Sequence, residues 1–581
     1  MCEFQKPDFG GSSTENIKLT VATVEGGIVN AEQPEFIKSS QYFETALEAT
    51  SYGKFNYVLI LVSGLILSNV LLETLGISFV LPVSQCDLNL TITERGVLSA
   101  IGFAGIISSS HLWGFLADTT GRRNIIRPTL LFGFMVTVVS SFATHFWLLV
   151  TLRYLNGFCI SGGSATIYAY LGEFHTSKNR SRAIMGSAFI FGIGAMLMPA
   201  IAWLVINQEW RFEVPLLDIT YKPWRFFIVV CGIPGFICGL CLFKIPESPK
   251  FLLAKGDEES CLRILRNIFR INTGKPVDEY PISHVVEDLD SAMRPKKARE
   301  PNTNATTVLL RSMWVQTQPL FNRQHMRTTI LICSIQFWIF VTSNGMYMWF
   351  PHILNSVAEF INEHPGKRTY ICDVVYAKQL SIFQQELAAQ VSPVAEYCSE
   401  KLEISTYQHS LVLEVLYAVG FAFIGVIINK VGKMGILFVC LAVCGVCGIA
   451  TVYVNIPMVS IYLYLVLLLC GLGINVLSAA TVDLYPTRLR FSNPRLLLKN
   501  SLFSDRAMAI CISLMMGRLG SVVGANVFGA LLSHKCETAF ILSGTSLILS
   551  GFLGFFIPRT SLTLGNKESP RRTSLISVRG N

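Results

Sequence analysis

Charge is what this chain has least of. Only 15% of its 581 residues are Asp, Glu, Lys or Arg, while 51% are hydrophobic; soluble domains carry about 25% charged residues. A surface so poor in charge cannot all face water, so much of it is expected to face lipid. Several chemistries are missing too. There is no nucleotide-binding loop of Walker type, no HExxH and no Gly-x-Ser-x-Gly, which argues against an ATP-driven pump and against an enzyme. The sixteen cysteines show no His/Cys spacing for zinc, so no metal and no cofactor is expected. The net charge of +9 is spread over short segments between apolar runs and forms no nucleic-acid patch. The first 50 residues are polar and mixed, so no signal peptide is expected and the first apolar run is expected to act as the anchor.

What is present is apolar length. A spanning helix needs about 20 apolar residues. Such runs occur at roughly 55–80, 95–117, 125–144, 146–171, 183–206, 225–245, 328–350, 407–428, 434–454, 457–482, 507–532 and 538–557. The expectation is an all-α polytopic membrane protein with twelve transmembrane helices. Its organisation reads as a polar segment 1–54, a six-helix bundle 55–245, a linker 246–326 with short helices, a second six-helix bundle 327–558 and a tail 559–581. A polar loop, 351–406, follows run seven. Within the linker, Cys261, Leu262, Ile264, Leu265, Ile268 and Phe269 form one helical stripe.

Lys and Arg set the orientation. With the N-terminus inside, the short inner loops carry thirteen of them and the short outer loops about five, so both termini are expected on the cytoplasmic side. Loop 351–406 is then outside or lumenal, where Cys372 and Cys398 are expected either as a disulfide or as two free thiols. Asn89 begins an acceptor sequon on that side, close enough to the membrane to disfavour glycosylation.

The two halves repeat. Gly114, Asp118, Gly121 and Arg122 after run two match Gly425, Asn429, Gly432 and Lys433 after run eight, 311 residues on. Gly163, Glu173 and Arg180 match Gly473, Asp483 and Arg490, and runs six and twelve both end in Ile-Pro. Two bundles duplicated in register suit alternating access around a central site. In the loop after run two, Gly121 permits a tight turn. Asp118, at a helix C-terminus, needs a cation such as Arg122 or Arg123. The duller reading of that loop is a turn flanked by anchoring arginines.

This loop resembles the signature between helices 2 and 3 of the major facilitator superfamily. Arg153 to Gly157 with Gly162 and Gly163 resembles its second motif. Pro246-Glu247-Ser248-Pro249-Lys250-Phe251-Leu252 resembles the element after helix 6 of sugar-transporter-like members, and Asp483 to Arg490 the element after helix 10. Phe79 to Pro82, Ile271 to Gly274 and Gly517 to Gly524 resemble the synaptic vesicle glycoprotein 2 branch. The resemblance covers about 50–560. It departs at 491–506, an apparent insert of about sixteen residues, and in the absence of that branch's Phe-containing pentapeptide repeats. It implies a transporter moving a small organic solute across a plasma or synaptic-type vesicle membrane. The alternative is a vesicle protein that binds or traffics without transporting.

Charges inside a membrane cost about 2.5–3.5 kcal/mol on insertion scales, so each is expected to have a partner or a task. Glu73, Arg153, Glu414 and Arg518 stand within the runs. The resemblance implies an acid on the first helix facing the central cavity, and Glu73 matches it. The other reading is a structural ion pair. Asn69, Gln336, Asn344 and Asn475 either line the same cavity or join helices by hydrogen bonds. From the acid and the bases, an organic ion or carboxylate is favoured over a sugar, with proton coupling through Glu73.

Overall fold

The computed structural model describes residues 40–85, 87–215, 217–286, 323–377, 401–484 and 505–557. Long helices dominate them, because inside lipid every backbone N–H and C=O must be paired within its own segment. Spans 1 to 6 are Lys54–Ser84, Ile92–Thr120, Arg122–Ser141, Phe146–Glu173, Ser177–Ile206 and Pro223–Cys241. Spans 7, 8 and 9 are Arg323–Glu363, Ile404–Val431 and Lys433–Tyr453. Span 10 joins Pro457–Leu468 to Leu472–Leu484 through a 3-10 turn at Leu469–Gly471, and spans 11 and 12 are Asp505–His534 and Cys536–Phe555. Among the described residues, eleven helices are long and apolar enough to cross a membrane. The twelfth, span 4, carries Arg153 and is also long enough at 28 residues.

The caps follow the sequence. Thr91 and Glu94 form a reciprocal capping box that starts span 2. Gly121 and Gly432, the repeat partners, both sit at positive φ, 111° and 89°. Each ends one span and begins the next, a turn that an L side chain would strain. Span 7 corrects the expected boundary: it runs through Pro351 to Glu363, so the stretch beginning at 351 is helix before it is loop. Glycines let helices meet backbone to backbone, with Gly345 on Gly524 between spans 7 and 11 and Gly445 on Gly544 between spans 9 and 12.

Spans alternate in direction, which defines a linker face and a far face. At the far face one apolar cluster continues from Phe79, Val80, Phe146 and Trp224 of the first half into Trp349, Tyr407, Tyr464 and Phe540 of the second. The linker-side half of the first bundle has its own cluster around Leu59, Ile66, Tyr170 and Phe174.

The linker stripe is buried, but against an unexpected partner. Helix Glu258–Thr273, capped by Asp257 and ended by Gly274 at φ 75°, packs Cys261, Leu262, Leu265 and Phe269 on Phe43 and Leu47 of helix Phe43–Ala49. Strand Ser40–Tyr42 pairs in parallel with His284–Val286. Asn272 ties this unit to span 1: its side-chain amide donates to the carbonyl oxygens of Thr50 and Ser51 and to Asn56, and its side-chain oxygen accepts from the Phe55 N–H. Burial pushes the Cys261 thiol up to about 12. Two Cys-x-x-Cys pairs, Cys238/Cys241 and Cys444/Cys447, lie within spans 6 and 9 as free thiols. No group of metal-binding residues occurs among the described residues.

The disulfide expectation is corrected as well. Cys372 bonds Cys536, 164 residues away at the start of span 12, and Cys398 lies outside the described residues. Cys536 stands in the short segment between runs eleven and twelve, and nothing in the sequence near it points to a partner 164 residues away. In Cys398→Ala the Cys372–Cys536 bond is expected to persist, with the Cys536 peptide shifting in mass only on reduction. In Cys372→Ala, Cys536 is expected to take up maleimide without prior reduction once the protein is unfolded, and stability to fall by about 2–4 kcal/mol. Thiol labelling with peptide mapping checks both.

Candidate functional site

Three polar clusters stand inside the helical frame. The first lies deep in bundle one. Arg153 Nη1 of span 4 is 3.0 Å from Glu73 Oε2 of span 1, and the pair is 5% and 2% exposed. Arg153 Nη2 also donates to the Glu73 carbonyl. Thr137 of span 3 donates to Glu73 Oε1 at 2.6 Å and accepts from Asn156 Nδ2 at 2.7 Å. Gly232 of span 6 leaves the room, since a Cβ there would meet the carboxylate. Glu73 is therefore turned into its own bundle, between spans 1, 3, 4 and 6. The expectation of an acid facing the central cavity is corrected, because Arg153 and Thr137 each give the buried carboxylate a donor where the cavity offers water. Of the two readings for Asn69, the structure has the helix-joining one: its side-chain oxygen accepts from Gly235 N–H at 2.9 Å and fastens span 1 to span 6.

The second cluster is the signature loop at the linker face. Arg122 Nη2 lies 2.9 Å from Asp118 and 3.1 Å from Glu173, and its Nη1 donates to the Ala117 carbonyl at 2.8 Å. One cation thus holds spans 2, 3 and 4 together. Arg123 donates to the last carbonyls of span 6, at Leu242 and Phe243, where a cation also meets the negative end of the helix. Arg180 Nε donates to the Gly172 carbonyl at 3.1 Å. Sequence reasoning missed Glu247. Its carboxylate accepts the free N–H groups of Arg122, Arg123 and Asn124 at 3.0, 3.1 and 3.3 Å, so an anion from the linker caps span 3. The signal was available: an acid in a quoted motif, and a helix that begins without a capping side chain. A Cβ on Gly114 would meet nothing within 4 Å, so no described residue packs closely on it. In the second copy Lys433 donates to the Ala479 carbonyl at 2.8 Å. The side chains of Asn429 and Asp483, and all of Arg490, lie outside the described residues.

The third cluster lies on the seam between the halves. Arg518 of span 11 donates to Ser110 of span 2 at 3.0 Å, and Ser110 in turn contacts Ser161 of span 4. Toward the far face, Asn207 at the end of span 5 donates to the Leu402 carbonyl and accepts from the Tyr407 hydroxyl, at 3.0 and 2.9 Å. Lys401 pairs with Glu209, Arg95 lies over the Trp349 ring and Phe79 stacks on Tyr407. In the second bundle, Glu414 of span 8 accepts from the Tyr347 hydroxyl at 3.0 Å. Asn344 donates to Ser521. Gln336 is fully buried with neither amide atom hydrogen-bonded, and Asn475 is exposed.

Two bundles of six helices, a charged turn between spans 2 and 3 and a polar seam between the halves define a membrane transporter. The chain belongs to the major facilitator superfamily, whose model matches residues 59–360. It is similar to human synaptic vesicle glycoprotein 2A, 25% identical over 374 residues, covering 60% of this chain and 50% of that one. It is also similar to mouse synaptic vesicle glycoprotein 2B, 25% identical over 324 residues, covering 54% and 47%. The chain spans about half the length of these curated relatives. Its fold matches the inward-open xylose transporter XylE from E. coli, with TM-score 0.56, 14% identity and 87% and 97% coverage. It also matches a bacterial homolog of the human lysosomal transporter Spinster in an inward-facing, unoccupied state, with TM-score 0.56, 11% identity and 90% and 100% coverage.

Removing one partner of a buried ion pair strands the other and costs about 3–5 kcal/mol. Arg153→Met alone is therefore expected to destabilise the protein more than the double variant Arg153→Met with Glu73→Leu, read by thermal unfolding in detergent. A double variant no more stable than the single would deny the pairing. Glu247→Gln is expected to cost about 1–2 kcal/mol, since it weakens an anion at a helix N-terminus.

Proposed function

We propose that this transporter moves a small carboxylate-bearing organic solute by alternating access, with both termini on the cytoplasmic side of a vesicle or plasma membrane. The observation that carries the reading is Arg518, a half-buried guanidinium on the seam between the two halves. A guanidinium presents a rigid fork that matches a carboxylate, and it is worth most where water is excluded. This favours the carboxylate among the organic ions and disfavours a neutral sugar.

Alternating access is supported by where the halves meet. Asn207, Tyr407, Lys401 and Glu209 join them at the far face, together with a shared apolar cluster. Taking the Lys- and Arg-rich linker face as cytoplasmic, the state described is closed outward. Two of its structural neighbours, XylE and the Spinster homolog, are in inward-open and inward-facing conformations. Solute exchange then requires the far-face contacts to part while each bundle moves as a unit around Arg518.

A thermal-stability screen of purified protein against carboxylates, organic cations and sugars tests this. A ligand at 100 times its dissociation constant stabilises by about 2.7 kcal/mol. The expected outcome is stabilisation by a carboxylate, lost in Arg518→Ala and weakened in Arg518→Lys. Stabilisation by a cation that survives Arg518→Ala would overturn the carboxylate assignment. Silence across the panel would favour a binding or trafficking role without transport.

A further inference from the structure

We propose that Glu414, and not Glu73, is the intramembrane acid of this protein that takes up and releases a proton. This deepens the transport reading by naming the coupling site, and it starts from the contrast between two buried carboxylates. Glu73 has Arg153 at 3.0 Å, with Thr137 and Asn156 around it. Protonating it would leave a guanidinium buried without its counter-charge, the costly half of a broken ion pair. Glu414 is 8% exposed and has the Tyr347 hydroxyl at 3.0 Å. No Lys or Arg stands within ion-pair distance of it among the described residues.

Hydroxyl, thiol and imidazole groups stand along this stretch of spans 7 to 10. Span 7 contributes Tyr347. Span 8 itself contributes Tyr417 one turn on, and His409 further toward the far face, where its ring meets Tyr462 and its Nδ1 sits on the Ser405 carbonyl. Beyond Tyr417, span 9 carries Cys444 and span 10 carries Cys470, with Cys440 beside them, all free thiols. Span 5, packed along span 8, carries no ionisable residue from Ala183 to Ile206. A lone carboxylate in such surroundings is expensive, and the proton is the one cation small enough to share a site this closed. The acid form keeps the Tyr347 bond, because its carbonyl oxygen still accepts.

Position links the site to the conformational cycle. Glu414 lies seven residues, about two turns, along span 8 from Tyr407, which holds the far-face closure through Asn207. While spans 5 and 8 are closed there, Glu414 is sealed and protonated. When they part, water reaches it and the proton can leave, so one helix carries both the latch and the acid.

The test needs no solute and so stands apart from the carboxylate reading. Full-length protein in lipid vesicles is titrated while infrared difference spectra follow the C=O stretch of protonated carboxyl groups. The expected result is a band that disappears as pH rises, is absent in Glu414→Gln and is unchanged in Glu73→Gln. A band that survives Glu414→Gln, or is lost in Glu73→Gln, overturns the assignment. If Glu414→Gln yields no folded protein, Tyr347→Phe serves instead. It removes the hydrogen bond and must shift the band upward in frequency, and an unmoved band overturns the proposal equally.

Discussion

A charge inside this molecule has nowhere to go but to another group on a neighbouring helix. The Glu73–Arg153 pair obeys that constraint. It draws in Thr137 and Asn156 and uses the space at Gly232, so four spans of the first bundle converge on one carboxylate. The same logic runs at the linker face, where Arg122 serves Asp118 and Glu173 together. Bundle one is thus cross-linked by ionic contacts at two depths, which makes it a rigid unit. A transporter that rocks two bodies past each other requires such units.

The second half repeats the geometry without all of the chemistry. Gly432 turns the chain as Gly121 does, and Lys433 reaches a carbonyl much as Arg122 reaches that of Ala117. The anion that caps span 3, however, comes from the linker that follows span 6, and the same linker is fastened to the N-terminal helix and to span 1 through Asn272. The signature loop, the linker and the N-terminal segment therefore form one connected structure on the first bundle. The halves meet at the seam instead through single hydrogen bonds, ring contacts, the exposed Lys401–Glu209 pair and a shared apolar cluster.

How much of this was legible in the sequence depended on range. Hydropathy is local, so twelve runs could be read directly, and the two turn glycines could be placed because a register of 311 residues repeats their neighbours. Partners were not legible. Glu73 and Arg153 stand 80 residues apart, and nothing local says that one faces the other rather than the cavity. Cys536 and Cys372 stand 164 residues apart, and nothing local pairs them. The N-terminal strand was invisible because Ser40–Tyr42 is three residues long and takes its meaning from His284–Val286, across most of the first half. Span 7 overran its expected end because the far-face half of this helix is buried against protein, where Asn355 and Ser356 are tolerated once hydrogen-bonded.

Two acids of the same chemistry end in opposite circumstances. Beside Arg153, a carboxylate gains from staying ionised and its energy changes little as the bundle moves, since all its partners move with it. On span 8, a carboxylate without a cation is sensitive to whether water can reach it, and that access is controlled by a helix end that takes part in closing the far face. A group can report a conformational change only if the change alters its surroundings. Glu73 is shielded from the seam by its own bundle, whereas Glu414 lies on a helix that forms the seam.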